Sequence, residues 1–112
     1  MAKVLVVDDS LRRSCRLAAA MSEWGHHVRF AGDCPFAVSA AADFRPDAVL
    51  VGSVAGGCPA KRLRAAPGMA RALLVALGGE GGPPHAGFDL LLREPVGLPE
   101  LRRALDRLGG AG

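Results

Sequence analysis

Short, continuous apolar runs alternate with stretches of helical periodicity along the chain, and this alternation constrains the fold more than any other feature. The runs VLVV at residues 4–7 and AVLV at residues 48–51 contain no polar side chain. A strand that is apolar on both of its sides is covered on both faces, which is typical of a parallel sheet with crossover helices. The pattern therefore predicts an α/β domain.

Capping and breaking residues divide the chain into strands and the helices between them. We expect strands at residues 3–7, 27–31, 48–51, 72–77 and 88–92. A first helix follows Ser10, a good N-cap, and ends at Gly25, and a second has Pro35 in its first turn and ends before Pro46. Two more helices are expected at residues 60–65 and 99–108. This order predicts a flavodoxin-like, five-stranded parallel sheet with helices on both faces.

The segment from residue 78 to residue 87 breaks this rhythm. It contains five glycines and two prolines in ten positions. Both residue types oppose a helix, glycine through its backbone entropy and proline through its missing N–H. We therefore expect the helix between the fourth and fifth strands, the fourth helix of the fold, to be shortened or lost.

Length and composition exclude several classes of protein. The 112 residues fit a single domain, with a core at residues 2–108 and a flexible tail at residues 109–112. Apolar runs stay far below the roughly 18 residues of a membrane span, and the N-terminus lacks a signal-peptide layout, so a soluble, cytoplasmic protein is expected. The cysteines lack metal-site spacing and are expected to be reduced; they are Cys15, Cys34 and Cys58. A net charge of +3 is too mild to predict nucleic-acid binding.

Five segments follow one another along the chain: KVLVVDDS, WGHHVRFAGD, FRPDAVLVG, ALLVALGG and GFDLLLREPVGLPELRRAL. Together and in this order they resemble the receiver domain of two-component response regulators, over nearly the whole chain. The resemblance implies the same flavodoxin-like sheet and a role in phosphorelay signal transduction.

The resemblance also assigns roles to single positions, some kept and some lost. Asp8 and Asp9 match the acidic pair that helps to hold magnesium, and Pro95 matches a proline that usually follows a cis bond, so the Glu94-Pro95 bond is predicted to be cis. Four positions depart from the family. Gly52 occupies the position of the family's phosphoacceptor aspartate, and Gly78 that of its switch hydroxyl residue. Leu91 occupies the position of the switch aromatic residue, and Glu94 that of the site lysine.

These departures predict a pseudo-receiver, a receiver-like domain that is not phosphorylated and is not an enzyme. Gly52 has no carboxylate with which to form an acyl phosphate. Ser53 does not replace it, because adjacent strand residues point to opposite faces. No cofactor is required, and at most a weak magnesium site is expected at Asp8 and Asp9, since this ion needs only one or two carboxylates.

Two other hypotheses stay open from the sequence. One is a phosphorelay receiver whose acceptor has moved, with Asp8 or Asp9 taking the phosphoryl group. The other is a small domain that binds a cation or small ligand through Asp8, Asp9, Glu94 and the loop at residues 52–57. Peptide mapping that locates a phosphoryl group on Asp8 or Asp9 would support the first hypothesis. Thermal stabilisation by divalent cations or nucleotides would support the second.

The expected partner is a protein such as a histidine kinase or another signalling domain, whereas nucleic acid and membranes are not expected partners. The resemblance implies contact through the first helix with Leu11, or through the last strand and helix, faces that this family uses for kinase docking and dimerisation. A homodimer is therefore a second expectation. The helix arginines are expected to be solvated, or to dock an acidic partner; they are Arg62, Arg64, Arg102, Arg103 and Arg107.

Overall fold

The computed structural model describes residues 2–8, 11–32, 34–52, 60–66, 69, 71–78, 88–93 and 96–110. Five strands run in chain order: β1 (Lys3–Val7), β2 (His27–Ala31), β3 (Ala48–Gly52), β4 (Leu73–Gly78) and β5 (Leu90–Arg93). Four helices are described: α1 (Leu11–Glu23), α2 (Cys34–Phe44), α3 (Ala60–Arg64) and α4 (Leu98–Gly110). None of the described helices combines the length and the apolar character needed to cross a membrane.

The strands form one parallel sheet in the order β2-β1-β3-β4-β5. Strand β1 pairs with β2 on one side and with β3 on the other, and the register sets Val7 beside Ala31 and Val51. The chain thus reverses its direction of travel across the sheet between β1 and β3. The predicted flavodoxin-like, five-stranded parallel architecture is confirmed.

Helices cover both faces of the sheet, as the apolar strands predict. On one face, α2 packs through two small residues, Ala37 and Ala41, and α3 contributes Leu63. On the other face, α1 and α4 contribute longer side chains, namely Leu17, Met21, Leu101 and Leu105. Residues of β1 alternate between the two cores because successive side chains of a strand point to opposite faces.

Helix α2 shows why the predicted helix boundaries hold where proline residues mark them. Pro35 lies in its first turn, where a missing N–H costs nothing. At the other end the backbone N–H of Arg45 donates to the Ala41 carbonyl, and Arg45 adopts a left-handed φ of 52°. Pro46 cannot continue the helix, so the chain turns there into β3.

Several boundaries differ from the expectation. Strand β5 begins at Leu90 instead of residue 88, and Asp89, which precedes it, donates its backbone N–H to the Leu74 carbonyl of β4. Helix α4 extends from Leu98 to Gly110, beyond the expected end at residue 108, because glycine lowers helix propensity without forbidding a last turn. The flexible tail stays a prediction. The predicted loss of a helix between β4 and β5 falls on residues 79–87, outside the described residues.

Arg64 corrects one prediction directly, because it does not lie on a solvated helix face. Its Nη1 donates to the carbonyl of Met69 at 3.1 Å and to that of Ala72 at 2.7 Å. The side chain therefore folds over the connection between α3 and β4 and satisfies two backbone acceptors. By contrast, the side chains of Arg62, Arg102 and Arg103 are exposed, as predicted.

Candidate functional site

The candidate site lies at the carboxyl ends of β1 and β3. In open α/β sheets, ligands bind where neighbouring strands lead to opposite sides of the sheet. Here β1 is followed by a crossover to β2 at one edge, whereas β3 leads towards β4 and β5. Asp8 follows the last residue of β1 and Gly52 is the last residue of β3, so both residues stand at this switch point.

Asp8 and Gly52 are in direct proximity. The register pairs Val7 with Val51, and one step further along each strand it sets Asp8 beside Gly52. A Cβ atom placed on Gly52 would lie 2.7 Å from Cγ, 2.8 Å from Oδ2 and 3.0 Å from Oδ1 of Asp8. The Asp8 carboxylate therefore occupies the space in which a side chain at position 52 would begin.

Asp8 is held firmly at this position. Its backbone N–H donates to the carbonyl of Ala31, the last residue of β2, at 3.0 Å. The residue as a whole is 6% exposed, and it is one of two buried polar residues, with Ser14, among those described. The Asp8 carboxylate therefore belongs to the buried end of β1.

Two further positions singled out in the sequence lie on the neighbouring strands. Gly78 ends β4 and pairs with Arg93 of β5. Leu91 is partly buried in β5 beside Ala76. An aliphatic side chain here has neither the ring nor the hydroxyl of the aromatic residue that the resemblance expects, so it provides no donor for a switch.

The remaining predicted site residues lie outside the described residues. They are Asp9, Glu94 and Pro95, together with Ser53 and the rest of the loop after Gly52. The cis Glu94-Pro95 bond, the proposed grouping of Asp8, Asp9 and Glu94, and the anion-binding loop therefore stay predictions.

The described residues bear on the expected magnesium site only through Asp8 and Gly52. Among them, no group of three or more His, Cys, Asp or Glu side chains is placed to hold a metal ion. Gly52 contributes no ligand, and the Asp8 carboxylate packs against the Gly52 backbone. A weak cation site therefore depends on whether Asp9 or another acid joins Asp8.

The chemistry of this arrangement is limited by the end of β3. Phosphoryl transfer to a protein carboxylate needs a nucleophilic oxygen at the reacting position. Gly52 supplies none, and Asp8 approaches position 52 from the adjacent strand with its carboxylate against backbone. What this edge of the sheet offers is a packed, buried acid at the switch point.

A second concave feature lies away from this edge, between the edge strand β5 and α4. This groove, of about 360 Å³, is lined by Leu90, Leu92, Glu100, Arg103 and Ala104. Its floor is apolar, whereas Glu100 and Arg103 are exposed and bring opposite charges to one side of α4. The apolar strand and the helix were predicted, but the groove between them was not, since it depends on how α4 lies across β5.

Histidine and cysteine side chains add little to the site. His26 accepts a hydrogen bond at Nδ1 from the backbone N–H of Ala2 at 3.0 Å, which gives it a structural role. Cys15 is an exposed free thiol on α1. Cys58 lies outside the described residues, as does the side chain of Cys34.

No protein-family model matches the sequence, and no curated protein is significantly similar to it. Solved structures do match. The receiver domain of a sensor histidine kinase from Pseudomonas aeruginosa, with a magnesium ion coordinated in its active-site cleft, is 26% identical, with a TM-score of 0.84 over 96% of this chain and 98% of that chain.

Two other structures extend this similarity. A chemotaxis response regulator of Vibrio cholerae is 24% identical, with a TM-score of 0.83 over 96% of this chain and 98% of that one. A receiver-modulated diguanylate cyclase from Pelobacter carbinolicus is 17% identical, with a TM-score of 0.86 over 99% of this chain and 94% of that one. The chain therefore has the fold of response-regulator receiver domains.

Proposed function

We propose that this chain is a receiver-like domain of two-component signalling that is not phosphorylated and acts through protein contacts. The observation that carries the proposal is Gly52, which ends β3 where the resemblance expects the acceptor aspartate. The receiver fold supports the signalling role, and the similar structures include a sensor kinase's receiver domain and a chemotaxis regulator. The domain has no catalytic activity of its own and works in the cytoplasm.

The absence of a switch residue supports a single functional state. A receiver responds to phosphorylation because the modification favours one of two conformations. With glycine at positions 52 and 78 and leucine at position 91, the acceptor, the hydroxyl and the aromatic ring are all missing. A domain of this kind presents one constant surface to its partner.

Intact-mass spectrometry tests the first half of this proposal. The protein is incubated with acetyl phosphate and magnesium, beside a receiver domain with an intact acceptor as the positive control. The expected result is no added phosphoryl group on this chain while the control is modified. A stoichiometric, acid-labile adduct would refute the proposal, and peptide mapping to Asp8 or Asp9 would establish the relocated acceptor instead.

We assign the protein contact to the groove between β5 and α4, and its occupant to a second copy of this chain. Glu100 and Arg103 lie about one helical turn apart, so residues of this pair are neighbours on the helix surface. In a two-fold interface, the Glu100 of each copy can meet the Arg103 of the other. In the apolar floor of the groove, Leu92 and Ala104 are already buried, and the partly exposed Leu90 supplies the apolar contact.

Charge reversal tests this surface by sedimentation velocity over a range of concentrations. Arg103→Glu places acids at both positions 100 and 103 and is expected to weaken self-association, whereas Glu100→Arg combined with Arg103→Glu exchanges both charges and restores it. Arg62→Glu makes the same charge change on α3 and should leave association unchanged. A wild-type monomer at every concentration would overturn the assignment of a second copy.

A further inference from the structure

We propose that Asp8 has taken over the space of the missing acceptor side chain, so that the site is closed and not merely vacant. This inference rests on the proposed function, because it explains how the loss at position 52 is maintained. Asp8 and Gly52 then form one unit, in which the packed position of the Asp8 carboxylate requires glycine at position 52. Restoring a carboxylate at position 52 alone would not reopen the site.

The steric evidence is specific to Asp8. All three of the nearest heavy atoms to a Cβ on Gly52 belong to the Asp8 carboxyl group, at 2.7 to 3.0 Å. The backbone itself does not demand glycine, since the left-handed φ values among the described residues belong to Arg45 and Gly25. The three atoms that a side chain at position 52 would meet first therefore all belong to the Asp8 carboxyl group.

Burial makes this exclusion costly to relieve. Asp8 is 6% exposed, and its backbone is fixed to Ala31 of β2. A side chain at position 52 must therefore push the carboxylate away by rotation about its own two torsions, out of the place in which it is packed. Close packing at the end of a central strand leaves little room for such a movement.

A second carboxylate meets an additional obstacle. Two carboxylates in one confined site repel, and this repulsion favours displacement of the introduced side chain. For phosphoryl transfer, an oxygen of the introduced carboxylate would attack the phosphorus of acetyl phosphate, form a new P–O bond and release acetate. A carboxyl group displaced from the reacting position at residue 52 is a poor nucleophile for this reaction.

A double-mutant cycle with thermal unfolding tests the coupling between the two residues. Gly52→Ala is expected to lower the Tm by about 4–8 °C, the shift that a modest destabilisation produces in a domain of this size. Gly32→Ala is the matched control, because a Cβ on Gly32 meets nothing within 4 Å. Its Tm should stay close to that of the wild type.

Substitutions of Asp8 separate volume from charge. In an Asp8→Ala background, which removes the carboxyl group, Gly52→Ala should no longer lower the Tm. In an Asp8→Asn background, which keeps the size of the side chain, the loss caused by Gly52→Ala should persist. Equal effects of Gly52→Ala in the wild type and in both backgrounds would overturn the inference.

The phosphorylation assay keeps the two proposals apart. The Gly52→Asp variant is expected to have a lower Tm than the Gly52→Ala variant and to gain no phosphoryl group from acetyl phosphate. A Gly52→Asp protein of wild-type stability that becomes phosphorylated would overturn the closed site while leaving the proposed function of the wild type intact. Phosphorylation of the wild type itself would refute the proposed function whatever the cycle shows.

Discussion

The guanidinium of Arg64 donates to the carboxylate of Asp89 across 2.9 Å, and the same carboxylate oxygen accepts the backbone N–H of Leu74 at 2.8 Å. Helix α3 is thereby tied to the starts of both β4 and β5. The Asp89 N–H returns a hydrogen bond to the Leu74 carbonyl. These contacts join three elements at the end of the sheet opposite the candidate site.

Replacing Arg64 by alanine should therefore destabilise the domain measurably. The change removes the hydrogen bonds that Arg64 donates to two backbone carbonyls and to Asp89. We expect a loss of about 1–2 kcal/mol in the free energy of unfolding, because the partial solvent exposure of the Arg64 side chain weakens these contacts. Urea denaturation measures this loss. Arg62→Ala, on the exposed face of the same helix, is the control and should change stability little. Equal losses in the two variants would contradict the role of Arg64.

His26 should make stability depend on pH. Burial lowers the pKa of His26 below its usual value of 6.5, the positive N-terminus lowers this pKa further and Asp106 opposes both effects. Because the folded state disfavours the charged ring, the neutral ring contributes stability above about pH 6.5, and this contribution is lost as the pH falls through the lower folded pKa.

Thermal unfolding between about pH 7.5 and pH 5 checks this prediction. The wild type should lose stability towards acid more steeply than His26→Gln, since protonation also removes the Nδ1 acceptor of the Ala2 N–H. His27→Gln changes an exposed neighbour and should keep the wild-type slope. A slope unaffected by His26→Gln would contradict the assignment.

Trp24 offers an optical report on how α4 packs against the end of α1. The guanidinium of Arg102 lies over its ring, 5.6 Å from the centroid, and this is the single tryptophan of the chain. Arg102→Ala should change the tryptophan emission of the folded protein and cost about 0.5–1 kcal/mol, the usual range for an exposed cation–π contact. Arg103→Ala is the control and should leave the emission unchanged.

Core position, more than side-chain size, should decide the cost of truncation. Leu50 lies in the middle of β3 and is fully buried, whereas Phe36 on α2 is 69% exposed. We expect Leu50→Ala to cost about 2–5 kcal/mol, the range for a cavity in a packed core. Phe36→Ala should cost much less although it removes a larger side chain. Urea denaturation of both variants makes the comparison.

The sheet could be predicted from sequence because its signals are local. Apolar runs such as VLVV specify buried strands by themselves, and Pro35 and Pro46 mark helix boundaries through their fixed φ and missing N–H. The start of β5 was predicted less well, since Asp89, just before the strand, binds the backbone of Leu74, which is distant in sequence. Local pattern cannot reveal such a partner.

The candidate site could likewise be predicted only in part. Gly52 and Asp8 were both singled out from their positions at strand ends, but their contact joins two strands and depends on the direction of one short side chain. Arg64 was misjudged for a similar reason, because a long side chain on a polar helix looks solvated until the fold brings backbone carbonyls within its reach.

The two faces of the sheet should tolerate mutation in opposite ways. Beneath α2 and α3 the core is rich in alanine, at residues 31, 37, 41, 66 and 72, whereas beneath α1 and α4 it is rich in leucine. Small side chains let a helix approach the sheet closely, so enlargement there is the damaging change. On the leucine-rich face truncation is the damaging change, because it leaves cavities. Saturation mutagenesis read out by abundance would therefore assign each buried residue to its face without a structure.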